Sequence, residues 1–238
     1  MAIPLVVGID GSEASLEAMD WAADEAVRYS VPLHLVHAAA GDREPSDVIS
    51  AASERARGRA PRAQRSSEVL HEDAAAALVD KGRNAFALVL GSRGLGDLAE
   101  MLLGAVSLAV AARADCPVVV VRGAAEHRDG QFGNVGVEEG EGSGTALQFA
   151  LREAQVRSCR LTAVHAWNPS PRALTTRPAP SWYAMEAHRR PPSQVLDGAL
   201  RGLAERYRDA RVSSRVIEGP ARRARPWGLA EQPVTLST

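Results

Sequence analysis

The amino-acid sequence predicts an α/β fold: a doubly wound, parallel sheet of five strands in the order 3-2-1-4-5, followed by an incomplete second copy of the same unit. Short continuous apolar runs alternate along the first 122 residues with segments whose apolar residues recur at helical spacing. This alternation is typical of strands joined by right-handed crossover helices, which give a parallel sheet. The same pattern begins again 128 residues further along the chain.

The first strand, helix and second strand have the clearest patterns. Residues 5–9 form a continuous apolar strand that ends in a turn at Asp10. Ser15 is a suitable N-cap for a helix over residues 16–29. Residues 33–38 then form the second strand, which completes a βαβ unit.

The remaining elements of the first half are placed by the same rules. They are a helix over residues 46–57, a third strand at 68–71, a helix capped by Asp73 that runs through Lys81, a fourth strand at 85–90, a helix over 105–112 and a fifth strand at 117–121. Pro117 stands at the start of the fifth strand, where a missing N–H group is tolerated.

A glycine segment follows the fourth strand. Gly91, Gly94 and Gly104 are spaced as Gly-x2-Gly-x9-Gly, and an apolar helix follows the last glycine. A glycine turn between a parallel strand and a helix leaves backbone N–H groups in the crevice where open α/β sheets bind ligands. The segment therefore predicts a phosphate site, with turn and packing roles for the glycines as the alternative.

This spacing resembles the nucleotide-binding signature of universal stress proteins, and Val7-Gly8-Ile9-Asp10-Gly11-Ser12 resembles the first strand of the same family. In the family Ser or Thr follows the last glycine, whereas here Ala105 does. The resemblance implies a Rossmann-like fold and cytoplasmic stress-response proteins, some of which bind ATP without catalysis. We therefore expect a regulatory protein, not an enzyme, that binds ATP weakly and with Mg²⁺.

Three residues outside the helix are further candidates for binding. Asp10 stands at the end of the first strand, where its carboxylate can accept a hydrogen bond from a ribose or hold Mg²⁺. The matching Asp of the family contacts the nucleotide, and the alternative is an Asx turn. Arg93 can pair with a phosphate or be solvated. Val36 lies in the last half of the second strand, followed by His37 and Ala38, where the family packs adenine, and ordinary strand burial is its alternative.

The start of the predicted helix supplies the rest of the site. Ala105 can neither cap the helix nor bond a phosphate, and the loss of a cap costs about 0.5 to 2 kcal/mol. Ser107 is a substitute two residues on, although its hydroxyl is expected to point elsewhere. The complete predicted set is Asp10, Val36, Gly91, Arg93, Gly94, Gly104, Ala105, Val106 and Ser107.

The second half repeats the beginning of the first in register. A shift of 128 residues pairs Gly8 with Gly136, Asp10 with Glu138, and His37 with His165, which indicates a duplication. A helix over residues 194–207 and a strand at 211–218 follow, without a fourth strand or a glycine signature. We expect four parts: a complete domain at residues 1–122, a linker at 123–132, a truncated second domain at 133–220 that binds no nucleotide, and an irregular tail at 221–238.

Composition limits the partners and the compartment. The net charge is −1 and Arg is spread along the chain, so nothing indicates a nucleic-acid partner. No secretory signal pattern opens the chain, and the longest apolar run, residues 101–112, is shorter than the roughly 20 residues that span a bilayer. The two cysteines, Cys116 and Cys159, form no disulfide framework. These features favour a soluble cytoplasmic protein.

Two competing functions can be weighed against nucleotide binding. Residues 94–99 also satisfy the dinucleotide pattern GxGxxG/A, but they follow the fourth strand rather than the first, which disfavours an oxidoreductase. The second competitor is an interaction protein that has the same fold but binds no nucleotide. The six histidines show no chelating pattern, no GxSxG motif occurs, and no sequence motif proposes a nucleophile with its base. We therefore expect neither a metal site nor a hydrolase.

The fifth strand predicts the assembly. Four valines follow Pro117 at the expected edge of the sheet, and an exposed apolar edge is a template for pairing with another chain. Fifth strands pair across an interface in the family that the sequence resembles. We expect a homodimer that is joined through residues 117–121.

Overall fold

The computed structural model describes residues 2–39, 45–92, 103–121, 133–138, 142–167, 191–204 and 206–219. The chain divides into two compact units, Met1–Glu126 and His127–Thr238. The predicted linker, the irregular tail and the residues 93–102 of the glycine segment lie outside the described residues.

The first unit contains five strands and four helices among its described residues. In chain order they are β1 (Leu5–Gly8), α1 (Glu13–Tyr29), β2 (Leu33–Ala38), α2 (Pro45–Arg59), β3 (Arg65–Leu70), α3 (Ala74–Gly82), β4 (Ala87–Gly91), α4 (Ala105–Ala111) and β5 (Val118–Val121). The strands form one parallel sheet in the order β3-β2-β1-β4-β5. The predicted fold class and strand order are confirmed.

Helix α1 begins earlier than the sequence pattern predicts. Its N-cap is Ser12, whose hydroxyl accepts a hydrogen bond of 3.2 Å from the Ser15 N–H. The Ser15 hydroxyl instead donates to the Ser12 carbonyl oxygen at 2.8 Å. The prediction of Ser15 as the cap is therefore wrong, because Ser12 is the residue with the extended backbone that a capping position needs.

Alternation along the strands gives the sheet two buried faces. Leu5 and Val7 of β1 point into a cluster formed with α1 and α2, which we call the α1–α2 face. Val6 points to the opposite side, where Leu88 and Leu90 of β4 pack with α3 and α4 on the α3–α4 face. A strand in the middle of a doubly wound sheet is covered on both sides, so its sequence is continuously apolar.

Two parallel ion pairs join α1 to α2. The Arg55 guanidinium donates to both carboxylate oxygens of Asp20 at 3.1 and 2.6 Å, and that of Arg59 donates to both of Asp24 at 2.9 and 2.7 Å. Hydrogen bonding to these carboxylates raises the pKa of both guanidinium groups. Because the partners lie four residues apart on each helix, the pairs stack along one line of contact.

The second unit has a smaller sheet. Its described elements are β6 (Gly133–Gly136), α5 (Gly142–Val156), β7 (Arg160–Trp167), α6 (Pro192–Ala204) and β8 (Arg211–Glu218). The three strands are parallel in the order β6-β7-β8, and one apolar cluster joins them to both helices.

The start of the second unit repeats the backbone geometry of the first. Gly133 pairs with Leu161 as Leu5 pairs with Leu33. A serine in the left-handed region closes each first helix: Ser30, directly after α1, has φ 54°, and Ser158, two residues after α5, has φ 51°. The predicted repeat thus carries over to the hydrogen-bonding register of the two βαβ segments.

Candidate functional site

The carboxyl ends of β1 and β4 lie side by side, because Val7 pairs with Val89 in the parallel ladder. Asp10 follows β1 at this edge, and Ser92 follows β4. Strand order changes direction between β1 and β4, and open α/β sheets bind their ligands at such a switch point. The edge is therefore the candidate site of the first unit.

Helix α4 is anchored to the end of β4 by two hydrogen bonds. The Gly104 N–H donates to the Ser92 carbonyl oxygen at 2.8 Å, and the Ser107 hydroxyl donates to the Gly91 carbonyl oxygen at 2.8 Å. Gly104 is the N-cap and makes no side-chain cap. The helix therefore starts at the candidate site with N–H groups that have no acceptor within the helix.

The side chains of the first turn of α4 divide between outside and inside. Ala105 and Val106 are exposed, whereas Ser107 is buried. Since the Ser107 hydroxyl donates a hydrogen bond to the Gly91 carbonyl oxygen, it is turned toward β4 rather than outward. The Arg93 and Gly94 positions lie outside the described residues, so their predicted roles stay predictions.

Asp10 forms the turn between β1 and α1. One carboxylate oxygen, Oδ1, accepts hydrogen bonds from the Ser12 N–H at 2.9 Å and from the Ser12 hydroxyl at 2.6 Å. This is the Asx turn that the sequence offered as the alternative to ligand binding. An ionised carboxylate has about four lone-pair sites, so the turn leaves the carboxylate with further accepting capacity.

The end of β2 is tied to the end of β1. The Ile9 N–H donates to the Val36 carbonyl oxygen at 2.8 Å, and His37 Nδ1 lies 2.7 Å from the Ile9 carbonyl oxygen, to which it donates. The Val36 side chain is only 1% exposed and belongs to the α3–α4 face. Val36 thus has the buried position that was named as the alternative for it, and its predicted contact with adenine stays a prediction.

Gly91 lets α1 approach the sheet closely. A β-carbon placed on Gly91 would lie 2.7 Å from the backbone carbonyl carbon and oxygen of Ala14 and 2.9 Å from the nitrogen of Ser15. Gly91 is thus a packing glycine in this structure, whereas Gly11, with φ +84°, is a turn glycine. Their shared effect is to bring the Asp10 turn next to the end of β4.

Sequence reasoning missed a polar cluster between β2 and β3. His34 lies 2.7 Å from the Ser66 hydroxyl through Nδ1 and 2.8 Å from Glu68 Oε1 through Nε2, and Lys81 also contacts Glu68 Oε1. We predicted that the third strand begins at residue 68, whereas β3 begins at Arg65. An earlier start would have placed Ser66 and Glu68 on the same face as His34.

The fold and candidate site together define a class: a doubly wound α/β protein whose strand order changes direction where β1 and β4 end. The family model described as "Universal stress protein family" matches residues 1–122. The chain belongs to the universal stress protein family, as the glycine spacing and the first strand suggested.

Individual relatives agree with this assignment. A universal stress protein of Mycolicibacterium smegmatis is 31% identical over an alignment that covers 95% of this chain and 82% of that protein. The structure of a universal stress protein from Archaeoglobus fulgidus DSM 4304 aligns with 94% of this chain and with 81% of its own chain. The TM-score is 0.57 and the identity is 15%, so this comparison shows a similar fold. The structure of a universal stress protein in complex with cAMP aligns with 51% of this chain and with 97% of its own chain, at 26% identity and a TM-score of 0.43.

Proposed function

We propose that the first unit binds an adenine nucleotide, ATP, weakly and with Mg²⁺, and that the protein regulates a stress response in the cytoplasm rather than catalysing a reaction. The observation that carries this proposal is the anchoring of α4. Two 2.8 Å hydrogen bonds hold the uncapped start of that helix beside the end of β4, the strand that pairs with β1.

The residues at this edge fit the chemistry of a nucleotide. A phosphate is an anion, and the N–H groups of Ala105 and Val106 at the start of α4 favour negative charge. Asp10 supplies a carboxylate for a ribose hydroxyl or for Mg²⁺, which takes oxygen ligands. A bound nucleotide would place the negative charge of its phosphates at the start of α4, where no side chain caps the helix. Arg93 and Gly94 complete the proposed phosphate loop.

Ala105 explains why binding should be weak, and it offers the direct test. Its side chain is exposed, so a hydroxyl can be added there without a clash. Ala105→Ser adds one hydrogen bond from a hydroxyl to a phosphate, worth at least about 1 kcal/mol, or at least about fivefold in the dissociation constant for ATP. Isothermal titration calorimetry of the full chain with ATP and Mg²⁺ measures this change.

A matched control separates the site from general effects on the helix. Ala111→Ser makes the same exchange at an exposed position in the last turn of α4 and should leave the affinity unchanged. Equal affinities for wild type and Ala105→Ser would remove Ala105 from the site. If neither protein binds ATP, and acid extraction of the purified protein yields no nucleotide, the alternative of an interaction protein that keeps only the fold is favoured.

We also propose that the protein is a homodimer joined through residues 117–121. β5 is an edge strand in the first sheet, and Val118, Val119 and Val120 are only half-buried. Val119 packs on the α1–α2 face and Val118 on the α3–α4 face, whereas Val120 belongs to neither cluster. Val120→Lys therefore disturbs the edge with little cost to the core.

Light scattering tests the dimer. Wild type should show twice the mass of one chain, and Val120→Lys should show the mass of one chain, because a lysine at an edge strand opposes pairing. A similar substitution on α1, Val27→Lys, is the control, since Val27 is 52% exposed. A monomeric wild type at micromolar concentration would contradict the proposal.

A further inference from the structure

Four polar side chains form a cluster on the α3–α4 face, beside the outer strand of the sheet. We call His34, Ser66, Glu68 and Lys81 the Ser66 cluster. In the register of β2 and β3, His34 is opposite Ser66, and Glu68 follows two residues later on the same side of the strand. Lys81 reaches Glu68 from α3. The cluster is separate from the nucleotide edge, where the carboxyl ends of β1 and β4 meet.

The chemistry of the cluster decides which nitrogen of His34 carries the proton. Burial alone would raise the pKa of the Glu68 carboxyl, but hydrogen bonds from Lys81 and His34 outweigh it and hold this pKa below its ordinary value. Glu68 is therefore ionised at neutral pH and can only accept hydrogen bonds. His34 must donate through Nε2, 2.8 Å from Glu68 Oε1.

The neutral form of His34 then carries its lone pair on Nδ1. That nitrogen lies 2.7 Å from the Ser66 hydroxyl, which must be the donor. A serine hydroxyl that donates to an imidazole, which in turn donates to a carboxylate, is the arrangement that activates serine as a nucleophile. Ser66 is also an exposed residue, so a reagent can reach it.

We propose that Ser66 is a nucleophile that accepts an acyl group from an activated acyl donor, with His34 as its base and Glu68 as the group that orients His34. Ser66 Oγ forms a bond to the carbonyl carbon of the donor while its proton passes to His34 Nδ1. The bond from that carbon to the leaving group breaks, and the leaving group takes the electron pair and then the proton. The product is an ester on Ser66, and nothing is oxidised or reduced.

The second unit provides an internal comparison. Thr162 is opposite Ser213 in the register of β7 and β8, as His34 is opposite Ser66, and Arg215 follows Ser213 as Glu68 follows Ser66. Thr162 Oγ1 lies 3.1 Å from the Ser213 hydroxyl. Here a hydroxyl replaces the imidazole and a cation replaces the carboxylate, so the residue opposite Ser213 is not a base.

Acetylation of the full-length protein by p-nitrophenyl acetate tests the proposal. Peptide mass spectrometry over time should show acetyl groups on Ser66 well before Ser67 and Ser213. Hydroxylamine should remove the group, because it cleaves an ester but not the amide that acetylated Lys81 would carry. His34→Gln should lower the acetylation rate of Ser66 by about 100-fold, which is the lower end of the range for general-base catalysis.

The control variant is Ser67→Ala, which removes the neighbouring exposed serine on the opposite face of β3 and should leave the rate at Ser66 unchanged. Equal acetylation rates at Ser66, Ser67 and Ser213 in wild type would overturn the proposal, and this comparison needs no variant to fold. An unchanged rate at Ser66 in a folded His34→Gln protein, or a hydroxylamine-resistant acetyl group on Lys81 in place of one on Ser66, would overturn it as well.

Discussion

Replacing Gly91 by alanine tests how closely α1 must pack on β4. The added β-carbon would lie 2.7 Å from two backbone atoms of Ala14, whereas carbon atoms in contact are best separated by about 3.5 to 4.0 Å. No rotamer change can relieve a clash with backbone, so the start of α1 has to move outward by about 1 Å. Overpacking of this kind costs about 1 to 3 kcal/mol, and contact with backbone places Gly91→Ala toward the upper value.

Urea unfolding followed by circular dichroism measures this cost as a lower transition midpoint. The matched control is Gly58→Ala in α2, where an added β-carbon meets no atom within 4 Å. Removing that helical glycine should instead stabilise the protein by about 0.5 to 1 kcal/mol. A Gly91→Ala protein that unfolds at the same urea concentration as wild type would refute the reasoning. The shift of α1 should also weaken ATP binding, since α1 begins next to the Asp10 turn.

Two other predictions concern charged groups. Because Glu68 has a lowered pKa in the folded state, its contribution to stability is complete above its ordinary pKa of 4.5 and is lost as the pH falls through the lowered value. Urea unfolding at several pH values measures the difference in stability between wild type and Glu68→Gln. This difference should shrink below pH 4.5, and a difference that persists there would contradict the prediction. A double-mutant cycle with Arg59→Met and Asp24→Asn should give a coupling energy below about 1 kcal/mol, because both side chains are partly exposed; a much larger value would mean that the pair is effectively shielded from solvent.

The regular parts of the fold could be predicted because each depends on near neighbours in the sequence. The continuous apolar runs of β1 and β4 and the helical spacing in α1 predicted strands and a helix that the structure confirms. β3 was placed three residues too late, since its first half, Arg65 to Ser67, is polar at an edge of the sheet. An edge strand is covered less than a central one, so its composition resembles that of a loop.

The repeat shows how far sequence similarity extends into geometry. His37 and His165 occupy matching positions, and each Nδ1 lies 2.7 Å from a carbonyl oxygen at the end of the neighbouring strand, that of Ile9 or Val137. The shift of 128 residues located these positions. It could not show that both histidines bind backbone rather than a ligand.

The sequence by itself determined the order of the elements, the family, the glycine spacing and the replacement of a hydroxyl by Ala105. These are properties of residues that are close along the chain. Only the tertiary structure decided that Val36 is buried, that Ser107 turns toward Gly91, and that His34 joins Ser66 to Glu68. Each of these depends on which strand or helix lies beside the residue, and folding sets those neighbours across separations such as the 32 residues between His34 and Ser66.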